Sequence, residues 1–225
     1  MKAVLVTGGT VRLGKAIADR LRSDGWRVLT SSHRADAGAD IVADLSDPMG
    51  AAKLYAAALQ LLGGKPPDAL VNNAALFTGD SAAIAAVNLE APKKLTMMMA
   101  GRETGVGAVV NVLDSKILNN SRDDLIDHRI IGSSEHPGKY GQTKQDLLEW
   151  TKKAAVMFAS TLRVTGVAPG PVLAPTDVHV KAGETLLDRR PTAEDVAAAV
   201  SFLLAAEAVT GTVIPVDAGQ HLLEK

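Results

Sequence analysis

The chain contains no cysteine and few aromatic residues, and each absence excludes a class of protein. Without a thiol there can be no disulfide scaffold, no thiolate catalysis and no zinc–thiolate site. Aromatic residues make up 3% of the chain and the formal net charge is -1, so neither a base-stacking nor a phosphate-tracking surface is predicted. We therefore expect no nucleic acid partner. The five histidines show no ligand spacing, and no metal site is predicted.

Long hydrophobic runs are also missing. No apolar segment approaches the roughly 18 residues that a membrane-spanning helix requires. The opening stretch MKAVLVTGG has the pattern of a strand rather than of a charged segment leading into a signal-peptide core. The sequence therefore predicts a cytoplasmic protein without a membrane partner.

What is present is an alternation of short β-type runs with longer helical patterns along all 225 residues. Such alternation is typical of repeated βαβ units, in which helices cover both faces of a parallel sheet. We predict an α/β fold: one Rossmann-type domain over residues 1–225, doubly wound, with a parallel sheet of seven strands. The predicted strands are residues 2–7, 27–32, 40–45, 68–74, 107–114, 162–169 and 212–217.

Local signals mark where two helices end or begin. Gly25 follows the periodic stretch LGKAIADRLRSDG and is placed to terminate a helix. Thr192 and Asp195, in TAED, have the spacing of a capping box before the apolar run VAAAVSFLLAA. The segment 115–139 is polar and rich in turn residues, and it is predicted to be a long loop inserted near the active site.

A glycine-rich turn, VTGGTVRLG, joins the first predicted strand to the first helix. Free amides and the helix dipole favour an anionic phosphate at such a position. Gly8 and Gly14 occupy two positions of the common dinucleotide fingerprint, but Arg12 stands where the middle glycine is usual. Alone, the turn is compatible with an ordinary strand-to-helix connection. Its place in the first βαβ unit favours a nucleotide site.

The end of the second strand predicts which nucleotide binds. An NAD site places an acidic residue there for the ribose 2′-hydroxyl, whereas this strand ends in Ser32, His33 and Arg34. Arg12 and Arg34 could bracket a 2′-phosphate with charge-assisted hydrogen bonds, so NADP(H) is the predicted cofactor. Two solvated surface arginines are the alternative. Asp36 keeps NAD open as a minor one.

Tyr140 and Lys144 are four residues apart in YGQTK, and on a helix they share one face. Together with the glycine turn, this pair makes essentially the whole chain resemble the short-chain dehydrogenase/reductase family. The matching motifs, in order along the chain, are Thr7-Gly8-x5-Gly14, NNAA at 72–75, Asn88, Tyr140-x3-Lys144, PGP at 169–171 and VDAG at 216–219.

The resemblance implies a role for each matching position. Tyr140 would donate a proton to the substrate, Lys144 would bind the nicotinamide ribose and lower the tyrosine pKa, and Asn88 would hold a water that connects Lys144 to solvent. Further cofactor contacts are implied at Gly8, Thr10, Arg12, Leu13, Gly14, Ser32, His33, Arg34, Asp44, Leu45, Asn73, Ala74, Ala75, Pro169 and Gly170. Substrate contacts are implied at Phe77, Asp114, Tyr140 and Pro171.

Asp114 departs from the family, which has serine at this position. Ser115 is adjacent, but successive strand side chains face opposite ways, so Ser115 cannot simply replace the missing hydroxyl. An aspartate here resembles the pteridine reductase and dihydromonapterin reductase branch, which reduces pterin rings with NADPH. Arg12, the pair His33-Arg34 and Phe77, where this branch stacks the pterin, agree with it.

The resulting hypothesis is an NADPH-dependent reductase of a pterin-like ring, of the dihydropteridine or dihydrofolate type. A carboxylate can accept hydrogen bonds from ring donors or, with a pKa raised by burial, pass a proton to a ring nitrogen. The alternatives are an NADPH-dependent reductase of a ketone or 3-oxoacyl compound, and a non-catalytic NADP(H)-binding regulator.

Two features leave the substrate and the assembly open. The interval from Asp114 to Tyr140 is 26 residues, about twice what is usual in the family. The extra segment could fold over the substrate, pack on a neighbouring subunit or lie in solvent. The resemblance implies a homotetramer, with a homodimer as the alternative.

Overall fold

The computed structural model describes residues 1–103, 105–118, 137–172 and 185–223, with residues 137 and 138 described by their backbone alone. All seven predicted strands are confirmed. They are β1 Ala3–Thr7, β2 Arg27–Ser32, β3 Ile41–Val42, β4 Ala69–Asn72, β5 Gly107–Val112, β6 Leu162–Pro169 and β7 Val213–Val216.

The strands form one sheet in the order β3-β2-β1-β4-β5-β6-β7, and every neighbouring pair is parallel. The order reverses between β1 and β4, so the carboxyl ends of these two strands border a crevice in which ligands of such folds bind. β3 is shorter than predicted because this edge strand pairs with β2 only at Ser31 and Ser32.

Helices cover both faces of the sheet, as predicted. They are α1 Arg12–Ser23, α2 Gly50–Leu61, α3 Ser81–Ala85, α4 Ala91–Ala100, α5 Pro137–Met157 and α6 Ala193–Ala205. α1 and α6 pack against one another on one face, where Ile17, Leu21 and Val200 are fully buried. α2, α4 and α5 cover the other face around Leu54 and Leu95.

Both predicted helix signals are present. Gly25 has φ +86°, the amide of Gly25 donates to Arg22 O and that of Trp26 to Leu21 O, which is the pattern of a Schellman motif. Thr192 and Asp195 form the reciprocal capping box at the start of α6.

The bounds predicted for the loop, residues 115 and 139, are both wrong. Ser115–Leu118 forms a 3-10 turn, and the backbone of Pro137 already belongs to α5. Asp114 therefore has a hydrogen-bonded turn directly after it, and Tyr140 lies in the first turn of a long helix. Residues 119–136, the interior of that loop, lie outside the described part of the chain. Within the described residues no helix is long and apolar enough to cross a membrane, and no cluster of potential metal ligands occurs.

Candidate active site

Asp114 stands two residues beyond β5, at the carboxyl edge of the sheet. One oxygen of its carboxylate accepts the amide of Lys116, 3.0 Å away. The other accepts the phenolic hydroxyl of Tyr140 at 3.2 Å. The 3-10 turn after β5 thus fixes the carboxylate from one side, and α5 brings the phenol to it from the other.

Two more predicted residues surround the phenol. The ring of Phe77 meets the ring of Tyr140 edge to face, with 4.8 Å between centroids. Lys144 Nζ lies 5.6 Å from the Tyr140 ring centroid and donates to Val112 O at 2.8 Å. The ammonium group is therefore anchored to the last residue of β5. An acid, a phenol, an amine and an aromatic ring converge at one point.

Burial shifts the pKa values of both Tyr140 and Lys144. Burial, the negative charge of Asp114 and the hydrogen bond to Asp114 all raise the pKa of Tyr140 well above its ordinary value. Burial lowers the pKa of Lys144 to about 8, although Asp114 opposes the shift. The pKa of Tyr140 is thus raised mainly by burial and then by Asp114, and the lowering by Lys144 that the family resemblance implies stays a prediction.

Asn88 connects the cofactor side of the sheet to α5. It lies in a π-helical segment, Ala86–Glu90, and its side chain donates to Leu76 O at 2.8 Å and accepts the amide of Leu76 at 2.7 Å. Its amide also donates to Thr143 Oγ1 at 3.4 Å. The water-holding role of Asn88 remains a prediction.

Sequence analysis missed both the π-helical segment and Thr143, a fully buried residue whose hydroxyl donates to Tyr140 O at 2.8 Å. The position of Thr143 directly before Lys144 is the only signal that could have indicated it.

The glycine turn fits a bound phosphate. Gly8 has φ +62°, and a Cβ on Gly14 would lie 2.0 Å from Gly8 O, so the two backbones meet as closely as glycine allows. Arg12, in place of the middle glycine, keeps the left-handed backbone at φ +49°, which costs a non-glycine residue energy. Val11, the N-cap of α1, makes no side-chain cap, and the first turn has no acidic residue. The helix N-terminus therefore presents uncapped amides and an exposed arginine, as an anionic group requires.

The predicted NNAA segment closes the turn from the β4 side. Asn73 Nδ2 donates to Thr7 O at 3.0 Å and to Gly8 O at 3.1 Å. Thr7 Oγ1 accepts the amides of Asn73 and Ala74, each at 3.0 Å. Thr10 and Leu13 lie in the glycine turn itself, and Ala75 follows Asn73 and Ala74 at the same edge, exposed.

The residues predicted to choose the cofactor lie after β2 and β3. Ser32 Oγ accepts the amide of Arg34 at 3.1 Å. The Arg34 guanidinium is held by Asp36 through two bonds of 3.0 and 2.7 Å. Arg34 is therefore paired with Asp36 in the structure, and the bracketing of a 2′-phosphate by Arg12 and Arg34 stays a prediction.

Asp44 and Leu45, two of the predicted cofactor contacts, differ in exposure. The side-chain and backbone hydrogen bonds of Ser46, with a smaller contribution from His33, lower the pKa of Asp44, so this exposed carboxyl is ionised at neutral pH. Leu45, in contrast, is 8% exposed and packs in the apolar core, so its side chain does not line the crevice.

The PGP segment extends β6 at the same edge. Pro169 is the last residue of β6, and the amide of Gly170 donates to Val216 O at 3.0 Å. A Cβ on Gly170 would lie 2.7 Å from Asp217 Cβ, so the two strand ends touch. Pro171 follows, partly buried.

The sheet order, the glycine turn and the Tyr140/Lys144 pair together define an oxidoreductase of the short-chain dehydrogenase/reductase class. Residues 11–221 match the family model described as Enoyl-(Acyl carrier protein) reductase, and the chain belongs to this family of short-chain enzymes.

Relatives with different substrates are about equally similar. Pteridine reductase 1 of Leishmania tarentolae is 28% identical, over 97% of this chain and 96% of its own. The granaticin polyketide synthase putative ketoacyl reductase 2 of Streptomyces violaceoruber is 28% identical, again over 97% and 96%. Among solved structures, the FolM alternative dihydrofolate reductase 1 of Brucella canis, complexed with NADP, matches with a TM-score of 0.82 and 29% identity. That match covers 100% of this chain and 96% of the Brucella chain.

Proposed function

We propose that this protein is an NADPH-dependent reductase that transfers hydride to a pterin-like ring of the dihydropteridine or dihydrofolate type. The observation that carries the proposal is the hydrogen bond between Tyr140 and Asp114 beside the ring of Phe77. Similarity to a pteridine reductase and to an alternative dihydrofolate reductase supports it.

The chain's own residues fit NADP(H). The Gly8/Gly14 turn leaves no room for a side chain and presents the uncapped N-terminus of α1, as the pyrophosphate requires. Arg12, and Arg34 once it leaves Asp36, would supply positive charge for the 2′-phosphate, and Lys144 would hold the nicotinamide ribose. When bound, the cofactor supplies the hydride.

The protein's part is to hold the ring and deliver a proton. Reduction of a carbon–nitrogen double bond adds one hydride to carbon and one proton to nitrogen. Because its pKa is raised, Tyr140 stays protonated at neutral pH and acts as a donor rather than as a base. Asp114 accepts hydrogen bonds from the amino-substituted edge of the ring, while the Tyr140 hydroxyl turns from Asp114 to the ring nitrogen, gives up its proton there and takes up another from solvent.

A second function is favoured by one comparison. The Streptomyces relative is named as a ketoacyl reductase, and the Tyr140/Lys144 pair suits protonation of an alkoxide equally well. In that case Asp114 would only orient groups. A ketone or a 3-oxoacyl thioester would then be the substrate.

Steady-state NADPH oxidation separates the two functions. We would measure it with dihydrobiopterin, dihydrofolate, a ketone panel and 3-oxoacyl thioesters, in the wild type and in Asp114→Ser. Turnover of the pterins that falls at least tenfold in Asp114→Ser supports the proposal. Asp146→Ser is the matched control, because Asp146 lies on α5 and its carboxylate accepts a hydrogen bond from Gln142 Nε2 at 2.7 Å. Pterin reduction that survives Asp114→Ser would contradict the mechanism, and turnover of ketones alone would favour the second function.

The location of the enzyme in the cell and its oligomeric state are also proposals. We propose that the enzyme acts in the cytoplasm as a homotetramer or a homodimer, following the family resemblance. Val156 and Met157 at the end of α5 are 81% and 62% exposed, and such apolar surface is favourable to bury between subunits. Light scattering coupled to size exclusion gives the mass directly, and a monomer of 23.4 kDa would contradict the assembly.

A further inference from the structure

A buried carboxylate pairs with an imidazole outside the catalytic group, just after β7. Asp217 is 2% exposed. Its carboxylate accepts the amides of Gly219, at 3.0 Å, and His221, at 2.8 Å. His221 Nδ1 lies 2.9 Å from the same carboxylate. One buried acid therefore folds the turn 217–221 and fixes the orientation of the imidazole.

The turn holds an unfavourable backbone conformation. Ala218 has φ +55° and Gly219 has φ +81°. A non-glycine residue in the left-handed region persists only where its surroundings hold it. The bonds from Asp217 to Gly219 and His221 flank Ala218 and provide that restraint.

This conformation directs a carbonyl toward the segment 185–187. Ala218 O accepts the amide of Leu186, at 3.0 Å, and that of Leu187, at 3.1 Å. Leu186 also packs on Gly219, where an added Cβ would lie 2.8 Å from Leu186 Cδ1. The position of segment 185–187 therefore depends on the turn.

The same turn touches two other segments of the active site. Asp217 meets Gly170, directly before the proposed substrate contact Pro171. The 3-10 turn Gln220–Leu222 packs beside Ser115–Leu118, the turn that fixes the carboxylate of Asp114. Three separate segments bordering the site thus meet at residues 217–222.

We propose that Asp217 and His221 are positioning residues that set the geometry of the substrate side of the active site. The inference rests on the proposed function for its kinetic consequence, but its structural part is independent of it. A substitution at His221 keeps Asp217 against Gly170, itself a predicted cofactor contact, and removes only the bond from the imidazole to the carboxylate. Loosening the pair should therefore weaken substrate binding while leaving cofactor binding intact.

The test compares His221→Ala, His221→Asn and the control Leu222→Ala. Asparagine keeps a donor close to the position of Nδ1, whereas alanine removes it; Leu222 is 64% exposed in the same turn. In His221→Ala we expect the substrate KM to rise three- to tenfold, with kcat and the NADPH dissociation constant within twofold of the wild type. His221→Asn should restore KM, and Leu222→Ala should not change it.

A second readout needs no substrate. Hydrogen–deuterium exchange of the amides of Leu186 and Leu187 should accelerate in His221→Ala, while that of the β4 and β5 amides stays unchanged. If the wild type reduces nothing in the substrate panel, the proposed function fails and exchange alone decides the inference. Unchanged exchange at 186–187 would overturn it. The inference would also be overturned if KM rose, kcat fell and NADPH binding weakened together in His221→Ala, because such a joint change indicates general destabilisation.

Discussion

The phenolic hydroxyl of Tyr140 donates to a carboxylate oxygen of Asp114 across 3.2 Å, although the two residues are 26 positions apart in the chain. A serine at this position, as elsewhere in the family, would be a neutral partner for the phenol. A carboxylate instead raises the tyrosine pKa and keeps the proton on the phenol. The substitution at 114 therefore makes Tyr140 a weaker acid, which gives its proton only to a strongly basic centre, such as a ring nitrogen to whose neighbouring carbon hydride is added, or an alkoxide.

The first prediction concerns that pKa. In Asp114→Asn the titration midpoint of Tyr140 should fall relative to the wild type, because the variant loses a negative charge beside the phenolate. Burial, the largest cause of the shift, remains. The chain has only two tyrosines, so tyrosinate absorbance after a rapid pH jump can resolve each. Tyr140→Phe identifies the transition of Tyr55, and an unchanged midpoint in Asp114→Asn would contradict the coupling.

The lowered pKa of Lys144 should make the stability of the folded protein depend on pH. Its pKa is about 8 in the folded protein, against about 10.4 in an unfolded chain, so between these values the unfolded state holds more protons. The free energy of unfolding of the wild type should therefore rise between pH 8 and 10 relative to Lys144→Met, by up to ~1.4 kcal/mol per pH unit.

Urea unfolding at pH 7, 8, 9 and 10 measures this difference. Below pH 8 it should be constant, since both states are then protonated. Lys153→Met is the control, because Lys153 is exposed and paired only loosely with Glu149. If the free energies of unfolding of the wild type and Lys144→Met changed with pH in parallel, burial would not lower the pKa of Lys144.

A side chain at position 14 should disturb the phosphate turn sterically. An added Cβ would lie 2.0 Å from Gly8 O, so Gly14→Ala must displace the turn. We expect NADPH binding to weaken at least tenfold, measured by cofactor fluorescence, with a lower Tm. Gly101→Ala is the control: its φ is -72°, and the added Cβ has only an ordinary contact with Met98 O at 3.5 Å. Equal effects of the two substitutions would be inconsistent with this role of Gly14.

Two substitutions of Arg12 distinguish the effect of backbone strain on stability from the effect of the guanidinium charge on NADPH binding. Both Arg12→Ala and Arg12→Gly lose the guanidinium, so both should bind NADPH less tightly relative to NADH. Only glycine relieves the left-handed conformation at φ +49°, so Arg12→Gly should be more stable than Arg12→Ala by about 1 kcal/mol. Thermal unfolding of the two variants gives the comparison. If Arg12→Ala were the more stable, the backbone there would not be strained.

The strands were predictable because β1, β4 and β5 are continuous apolar runs that a sheet covered on both faces requires. The start of α5 was not, because its first turn, PGKY, carries a proline and a glycine that resemble loop sequence. Proline is nevertheless tolerated in a first helical turn, where its missing amide has no partner to lose.

The sequence predicted that Asp114, Tyr140 and Lys144 lie together, but it did not predict the direction in which the pKa of Tyr140 shifts. Tyr140 and Lys144 followed from their spacing, and Asp114 from its departure from the family. The direction of the shift in the tyrosine pKa depends first on burial and then on the charge beside the hydroxyl, and only the fold buries the phenol, places Asp114 against it and turns Lys144 toward Val112 O. The pairing of Arg34 with Asp36 is likewise a matter of side-chain geometry that a strand pattern does not contain.

Phe77 gives a prediction that distinguishes a ring substrate from a simple carbonyl. Its side chain is 45% exposed and contacts the Tyr140 ring, so Phe77→Ala should cost the folded protein only about 1 kcal/mol while removing a stacking surface. Aromatic stacking of a nucleobase-like ring contributes about 1–3 kcal/mol, so the KM for a pterin should rise roughly tenfold or more. The control is Phe202→Ala on α6, which removes a phenylalanine of similar exposure, 55%, with no place in the site. Steady-state kinetics with a pterin and with a small ketone should show a larger KM change for the pterin in Phe77→Ala alone. A change of the same size for both substrates would mean that Phe77 supports Tyr140 and does not bind the ring.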